Sequence, residues 1–184
     1  IHEFAMKAEL LVITHYHFDH YDPEETFYAG RKILLKHPRE NINRSQKERA
    51  GAFIPGIKEK AEIEYADGRS FEFHGVRIEC SPAVPHGPEN TRLGYVMMVY
   101  IEHENRSLVF ASDVQGPVVS NSARWIVEKQ PDIVILDGPP TMFLGWKFSK
   151  ASLENAKKNI LYILDHTHAK VLLDHHLLRD LRYR

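Results

Sequence analysis

The stretch Thr14-His15-Tyr16-His17-Phe18-Asp19-His20 sets three imidazoles and a carboxylate side by side, directly after the apolar run Leu10-Leu11-Val12-Ile13. His15 and His17 are two positions apart, so in extended backbone both project to one side and reach one ion through neutral ring nitrogens. Asp19 and His20 follow as the chain turns and face a second position beside the first. Zinc takes such nitrogen and oxygen ligands at about 2.0–2.2 Å, and an open position lets a bound water ionise near pH ~7. Two ions roughly 3.5–4 Å apart would share the resulting hydroxide and polarise the bond under attack. Without a metal, packing four ionisable groups together costs several kcal/mol in desolvation or repulsion, so the string reads as a metal site.

The elements that must position these groups are short apolar runs. Strands are expected at 10–14, 32–36, 62–66, 70–74, 76–81, 94–102, 107–112, 132–136 and 170–174. Helices are expected at 23–29, with Asp22 as cap and Pro23 in the first turn, at 43–53, at 119–130, and at 149–165, with Ser149 as cap. Residues 2–9 read as the tail of a helix, and Pro55-Gly56 should stop the second expected helix. Turn residues at Ala66–Arg69, His74-Gly75 and His103–Arg106 predict antiparallel hairpins.

Several of the strands end on chemistry. The first runs into His15, SLVFAS into Asp113, DIVIL into Asp137 and KVLLD into His175, while VRIECS leads through Pro82 and Pro85 to His86-Gly87. Buried strands fix geometry and their loops point side chains into a cleft, which is where sheet proteins bind ligands. Asp113 taken alone could cap the following turn, but its place after a buried strand assigns it to metal. Asp137, in LDGPP, reads more readily as fixing the turn before the double proline. His2, His37, His74, His103, His166 and His168 read as ordinary core or surface histidines.

Composition bounds the rest. With 184 residues, 43% hydrophobic and 27% charged, the chain reads as one globular domain over 1–184 with no membrane span. A single cysteine, Cys80, excludes an internal disulfide and makes a cytoplasmic location the default. A formal net charge of -1 argues against a broad nucleic-acid surface. The basic clusters Arg44, Lys47, Arg49 and Arg179, Arg182, Arg184 read as solvated faces. The expected partner is a small-molecule substrate, with nucleic acid not favoured.

THYHFDH, then a Pro-rich loop with His86, then Asp113 in FASDVQG, then a histidine in LLDHH, resembles the metallo-beta-lactamase superfamily in correct chain order. THYHFDHYDP, ENINRSQKERA and LDHHLLRD look like an archaeal group of predicted metal-dependent hydrolases, over essentially the whole chain. The resemblance implies an α/β fold, the αβ/βα sandwich of two mixed sheets with helices on the outer faces, and a dinuclear site. It implies that His15, His17 and His86 hold the first metal and that Asp19, His20 and a late histidine hold the second, with Asp113 bridging. For the late histidine His175 is preferred to His176. Asp19 and Asp113 are the implied catalytic residues, Asp19 by exchanging a proton with the attacking water or leaving group.

The implied cofactors are two divalent ions, zinc before iron or manganese, since a nitrogen-rich site favours zinc and hydrolysis. The implied reaction is cleavage of an ester, phosphodiester, thioester or amide bond by metal-bound hydroxide. The alternatives are a nuclease of the same fold, or a non-hydrolytic di-iron redox or metal-binding protein. The superfamily's di-iron members tend to carry a carboxylate where this chain has His17. Domains of the superfamily usually place two strands before the metal motif. A chain starting at Ile1 has no room for them, so incomplete N-terminal strands, and possible further elements after Arg184, are expected.

Overall fold

The computed structural model describes residues 2–183, and Ile1 and Arg184, the latter the third member of the second basic cluster, lie outside the described residues. The chain divides into two compact units, Ile1–Asp67 and Gly68–Arg184.

The first unit begins with α1 (His2–Lys7) and holds three short strands, β1 (Leu10–Ile13), β2 (Lys32–Leu35) and β3 (Glu62–Tyr65), with α2 (Arg44–Ile57) crossing from β2 to β3. The strands run in the order β1-β2-β3 and are parallel throughout, with Leu10 opposite Lys32 and Lys32 opposite Glu62. A parallel pair needs a crossover, and α2 supplies one. Its buried residues, Gln46, Ala50, Phe53 and Ile57, recur at helical spacing and so form one face. That face packs with Ile13, Ile33, Leu35, Tyr16, Tyr21 and Tyr28. Asn43 caps α2, its side chain accepting from the Gln46 N–H at 2.8 Å.

Three expectations fail in this unit. Residues 23–29 form turns, not a helix: Asp22 Oδ1 accepts from the Glu24 N–H at 3.0 Å as a cap does, but the Asp22 carbonyl accepts from the Glu25 N–H at 3.4 Å in a tight turn and from the Tyr28 hydroxyl at 2.8 Å. Pro55 does not stop α2, which continues to Ile57. Pro55 and Gly51, four residues earlier, are both exposed, so the missing helical hydrogen bond falls on the solvent side. No hairpin joins β3 to the next strand, since β3 pairs in parallel with β2.

The second unit holds β4 (Ser70–Phe73), β5 (Val76–Cys80), β6 (Val84–Pro85), β7 (Tyr95–Val96), β8 (Val99–His103), β9 (Arg106–Phe110), α3 (Ser120–Lys129), β10 (Ile133–Asp137), α4 (Lys150–His166) and β11 (Lys170–Asp174). Six strands form a mixed sheet in the order β11-β10-β9-β8-β5-β4, parallel among the first three and antiparallel in the rest. The expected hairpins at His74-Gly75 and His103–Arg106 are both present. His74 and Gly75 have φ of 51° and 79°, the doubly left-handed turn that matches strand twist.

The expected strand 94–102 is divided. β7 pairs with β6 in a separate two-stranded ribbon while β8 joins the large sheet. The switch falls at the fully buried Met97 and Met98, where the Met98 N–H donates to Ser81 Oγ at 2.9 Å. Parallel β9-β10-β11 require crossovers, supplied by α3 and α4. α4 buries Ser152, Ala156, Asn159 and Ile163 and is capped by Ser149, which accepts from the Ser152 N–H at 3.0 Å. The core gathers Val96, Met98, Val109, Ala123, Ile126, Val134, Leu136 and Ile163. β11, expected to be buried, is an edge strand with Leu172 54% exposed.

Candidate metal centre

The first unit carries the dense motif immediately after β1. His15 is fully buried, His17 and His20 are half-buried, and Asp19 is exposed. The rings of His15 and His17 lie 4.7 Å apart between centroids and those of His15 and His20 lie 4.2 Å apart, so the three imidazoles converge. Asp19 Oδ1 is 3.9 Å from His20 Nε2.

Tyr16, fully buried between the two first histidines, anchors the motif in the core. Its hydroxyl donates to the Lys36 carbonyl at the end of β2, its N–H donates to Gln46 Oε1 at 3.4 Å, and its carbonyl accepts from Arg49 Nη1 at 3.2 Å. Burial pushes the Tyr16 hydroxyl well above the ordinary tyrosine value. Arg49 is therefore not the solvated-face residue that the sequence suggested, since its guanidinium also sits 4.3 Å from the Phe18 ring centroid. The Lys36 ammonium, fully buried, pairs with Asp67 Oδ1 at 2.7 Å. Burial pulls its pKa down while Asp67 opposes the shift. Phe18, Tyr21, Tyr28, Phe53 and Arg49 help to line a recess of ≈ 700 Å³ beside the motif.

The second unit carries the dispersed residues. His86 directly follows β6 in the loop that joins β6 to β7, where its N–H donates to the Gly94 carbonyl at 2.9 Å. Asp113, Asp137 and His175 stand at the carboxyl ends of the adjacent parallel strands β9, β10 and β11, the place where sheet proteins hold ligands. His86 and Asp113 are each 2% exposed, and His86 Nε2 lies 3.2 Å from Asp113 Oδ2. His175 Nε2 lies 3.5 Å from the same oxygen, and this interaction raises the His175 pKa above the ordinary value. One ligand atom from each of Asp113, His175 and His176 falls within 4.8 Å of the others. A buried carboxylate oxygen facing imidazole nitrogens at these distances is a donor set suited to a divalent ion.

Backbone conformation marks the same loops. Ser112, Gln115 and His175 have φ of 54°, 58° and 54°, a left-handed region that non-glycine residues rarely adopt and that clusters at functional sites. Asp137 Oδ2 accepts from the Gln115 N–H at 3.1 Å and Oδ1 accepts from the His176 N–H at 3.0 Å. Asp137 thus ties together the loops after β9 and β11, whereas the sequence suggested a role in the local turn before the double proline. The roles of Gln115, Tyr16 and Gln46 were not visible in the sequence, because each depends on hydrogen bonds between residues far apart in the chain.

The backbone aligns with solved structures of low sequence identity. A possible metal-dependent hydrolase of Veillonella parvula matches with a TM-score of 0.55 and 15% identity, covering 95% of this chain and 76% of that one. A mutant of the CmlA beta-hydroxylase matches with a TM-score of 0.51 and 13% identity, covering 88% of this chain and 32% of that one. The strand and helix order, with histidines and aspartates at the strand ends, defines a protein of the metallo-beta-lactamase fold. YhfI of Bacillus subtilis, of that fold, aligns over 92% of this chain and 76% of its own with a TM-score of 0.49 and 11% identity. The chain belongs to the UPF0282 family: it is 45% identical over 198 residues to the UPF0282 protein of Methanopyrus kandleri, covering 100% of this chain and 67% of that protein. It is also 45% identical to the UPF0282 protein of Thermococcus gammatolerans, spanning 65% of that protein's length. No family model matches.

Proposed function

We propose that this chain carries the catalytic centre of a metal-dependent hydrolase, with ligands to a dinuclear site drawn from both histidine clusters. In this reading His15, His17 and His86 would hold one ion, Asp19, His20 and His175 would hold the other, and Asp113 would serve both. The observation that carries it is the buried Asp113 carboxylate facing His86 and His175 at 3.2 and 3.5 Å, an arrangement of donors rather than of core packing. When bound, two divalent ions supply Lewis acidity and acidify a coordinated water.

The chain's own groups do the rest. Asp113, in a buried position, sets the spacing of the donors around it. Asp19, with a side chain 44% exposed, accepts a proton from the attacking water and returns it to the leaving group. A nitrogen-rich donor set favours zinc. The substrate is a small molecule with an ester, thioester, amide or phosphodiester bond. A net charge of -1 is the reason to place nucleic acid second. Among the described residues no helix is long and apolar enough to cross a membrane, and the lone, buried Cys80 is the reason to propose a cytoplasmic location.

The test is elemental analysis of protein purified without added metal, followed by a screen of model phosphodiester, ester, thioester and lactam substrates. Bound zinc with turnover of one bond class is expected. Iron with oxygen-dependent spectral changes and no hydrolysis would overturn the reading.

A further inference from the structure

His175 and His176 are consecutive, and in ordinary extended backbone consecutive side chains point to opposite sides. The left-handed φ of 54° at His175 breaks that alternation. The two rings meet edge to face at 4.4 Å, and ligand atoms of both lie within 4.8 Å of an Asp113 oxygen.

Asp137 then determines what His176 can offer. The carboxylate is 4% exposed, and both its oxygens lie 2.9 Å from His176 Nδ1. A carboxylate accepts only, so the proton of the neutral ring resides on Nδ1 and Nε2 keeps its lone pair. A carboxylate behind a histidine is the arrangement that orients metal-ligating imidazoles.

The same carboxylate reaches the other two loops. Through the Gln115 N–H it holds the backbone two residues past Asp113. The Gln115 side chain in turn covers Gly87, where a Cβ would fall 2.3 Å from Gln115 Oε1 and where φ of +96° favours glycine beside His86. Both oxygens of Asp137 are thus engaged inside the fold, which makes it a support for ligands and not a ligand.

We propose that Asp137 is a positioning residue that fixes His176 as the Nδ1–H tautomer, so that His176 Nε2 serves as a further metal ligand beside His175 and Asp113. The ligand role rests on the metal-centre reading above, whereas the tautomer does not. The first experiment is therefore long-range proton–nitrogen NMR of histidine-labelled, metal-free protein. It is expected to show Nδ1–H at His176 in the wild type and loss of that pattern in Asp137→Asn and Asp137→Ala. An Nε2–H pattern in the wild type overturns the proposal.

The second experiment is zinc titration against a chromophoric chelator. Asp137→Asn and His176→Gln are each expected to weaken zinc binding by about 10–100-fold. Melting of the metal-free variants identifies any that fail to fold, and the two substitutions remove the interaction from opposite ends. Wild-type zinc affinity in both folded variants overturns the ligand role alone. A wild-type protein that binds no zinc overturns the metal-centre reading with it, so the two failures are told apart.

Discussion

In the first unit the chemistry comes from one run of residues behind one short strand, whereas in the second it comes from loops after β6, β9, β10 and β11. The local motif is held by what lies between its histidines: Tyr16 enters the core and its hydroxyl and backbone bond to Lys36, Gln46 and Arg49. The dispersed set has no such spacer. It is held by buried carboxylates, with Asp113 facing two histidines and Asp137 tying two loops together. A contiguous site borrows rigidity from hydrophobic packing, and a scattered one must obtain it from hydrogen bonds between loops.

The largest effect expected from breaking this contrast is at Asp113. Asp113→Ala and His86→Ala should abolish dinuclear metal occupancy while circular dichroism stays native, because the sheet beneath does not depend on either side chain. Retention of full metal content in both variants would refute the ligand assignment.

In the first unit the corresponding weak point is not a ligand. Tyr16→Ala should cost about 3–5 kcal/mol in urea denaturation, as for other large buried aromatics. Tyr16→Phe, which removes only the hydroxyl bonded to the Lys36 carbonyl, should cost about 1–2 kcal/mol. Equal losses in the two variants would mean that the hydrogen bond, not packing, anchors the motif.

The smallest effect concerns the sheet of the second unit away from its histidine and aspartate cluster. A hydrogen bond from Lys129, on α3, holds the Glu79 carboxyl on β5 below its ordinary value. A group with a depressed folded pKa contributes stability above its unfolded pKa and loses it as pH falls through the folded one. The urea midpoint should therefore decline as pH drops below about 4.3, the unfolded glutamate value, and Lys129→Met should flatten that part of the curve. An unchanged curve would remove this pair from the forces holding the sheet.

Much of this was legible in the sequence because apolar runs announce strands and the residues after them announce the strand ends. His15, His86, Asp113 and His175 could all be located by that rule. The misreadings occurred where a side chain acts across distance. The segment after Asp22 has helical composition, but the Tyr28 hydroxyl reaches back six residues to the Asp22 carbonyl and closes a loop. The run 94–102 is continuously apolar, yet it changes partner at Met97-Met98 through the contact with Ser81. Arg49 belongs to a basic cluster by spacing and to the support of Tyr16 by geometry. Periodicity records which residues are buried, and it carries no record of which distant polar atom they meet.

The pairing of the strands also bears on the order in which the chain gains structure. β4 with β5 and β8 with β9 close through two-residue turns, whereas Leu10 must find Lys32, and Lys32 must find Glu62, across long intervening segments. Local pairings form early and distant parallel ones late. The hairpins are thus expected to nucleate first, although they emerge later in synthesis, and the histidine motif should acquire its cradle only after β2 and α2 have docked. Capture of a metal by the early histidines would then be a late event, one that rewards completion of the slowest sheet.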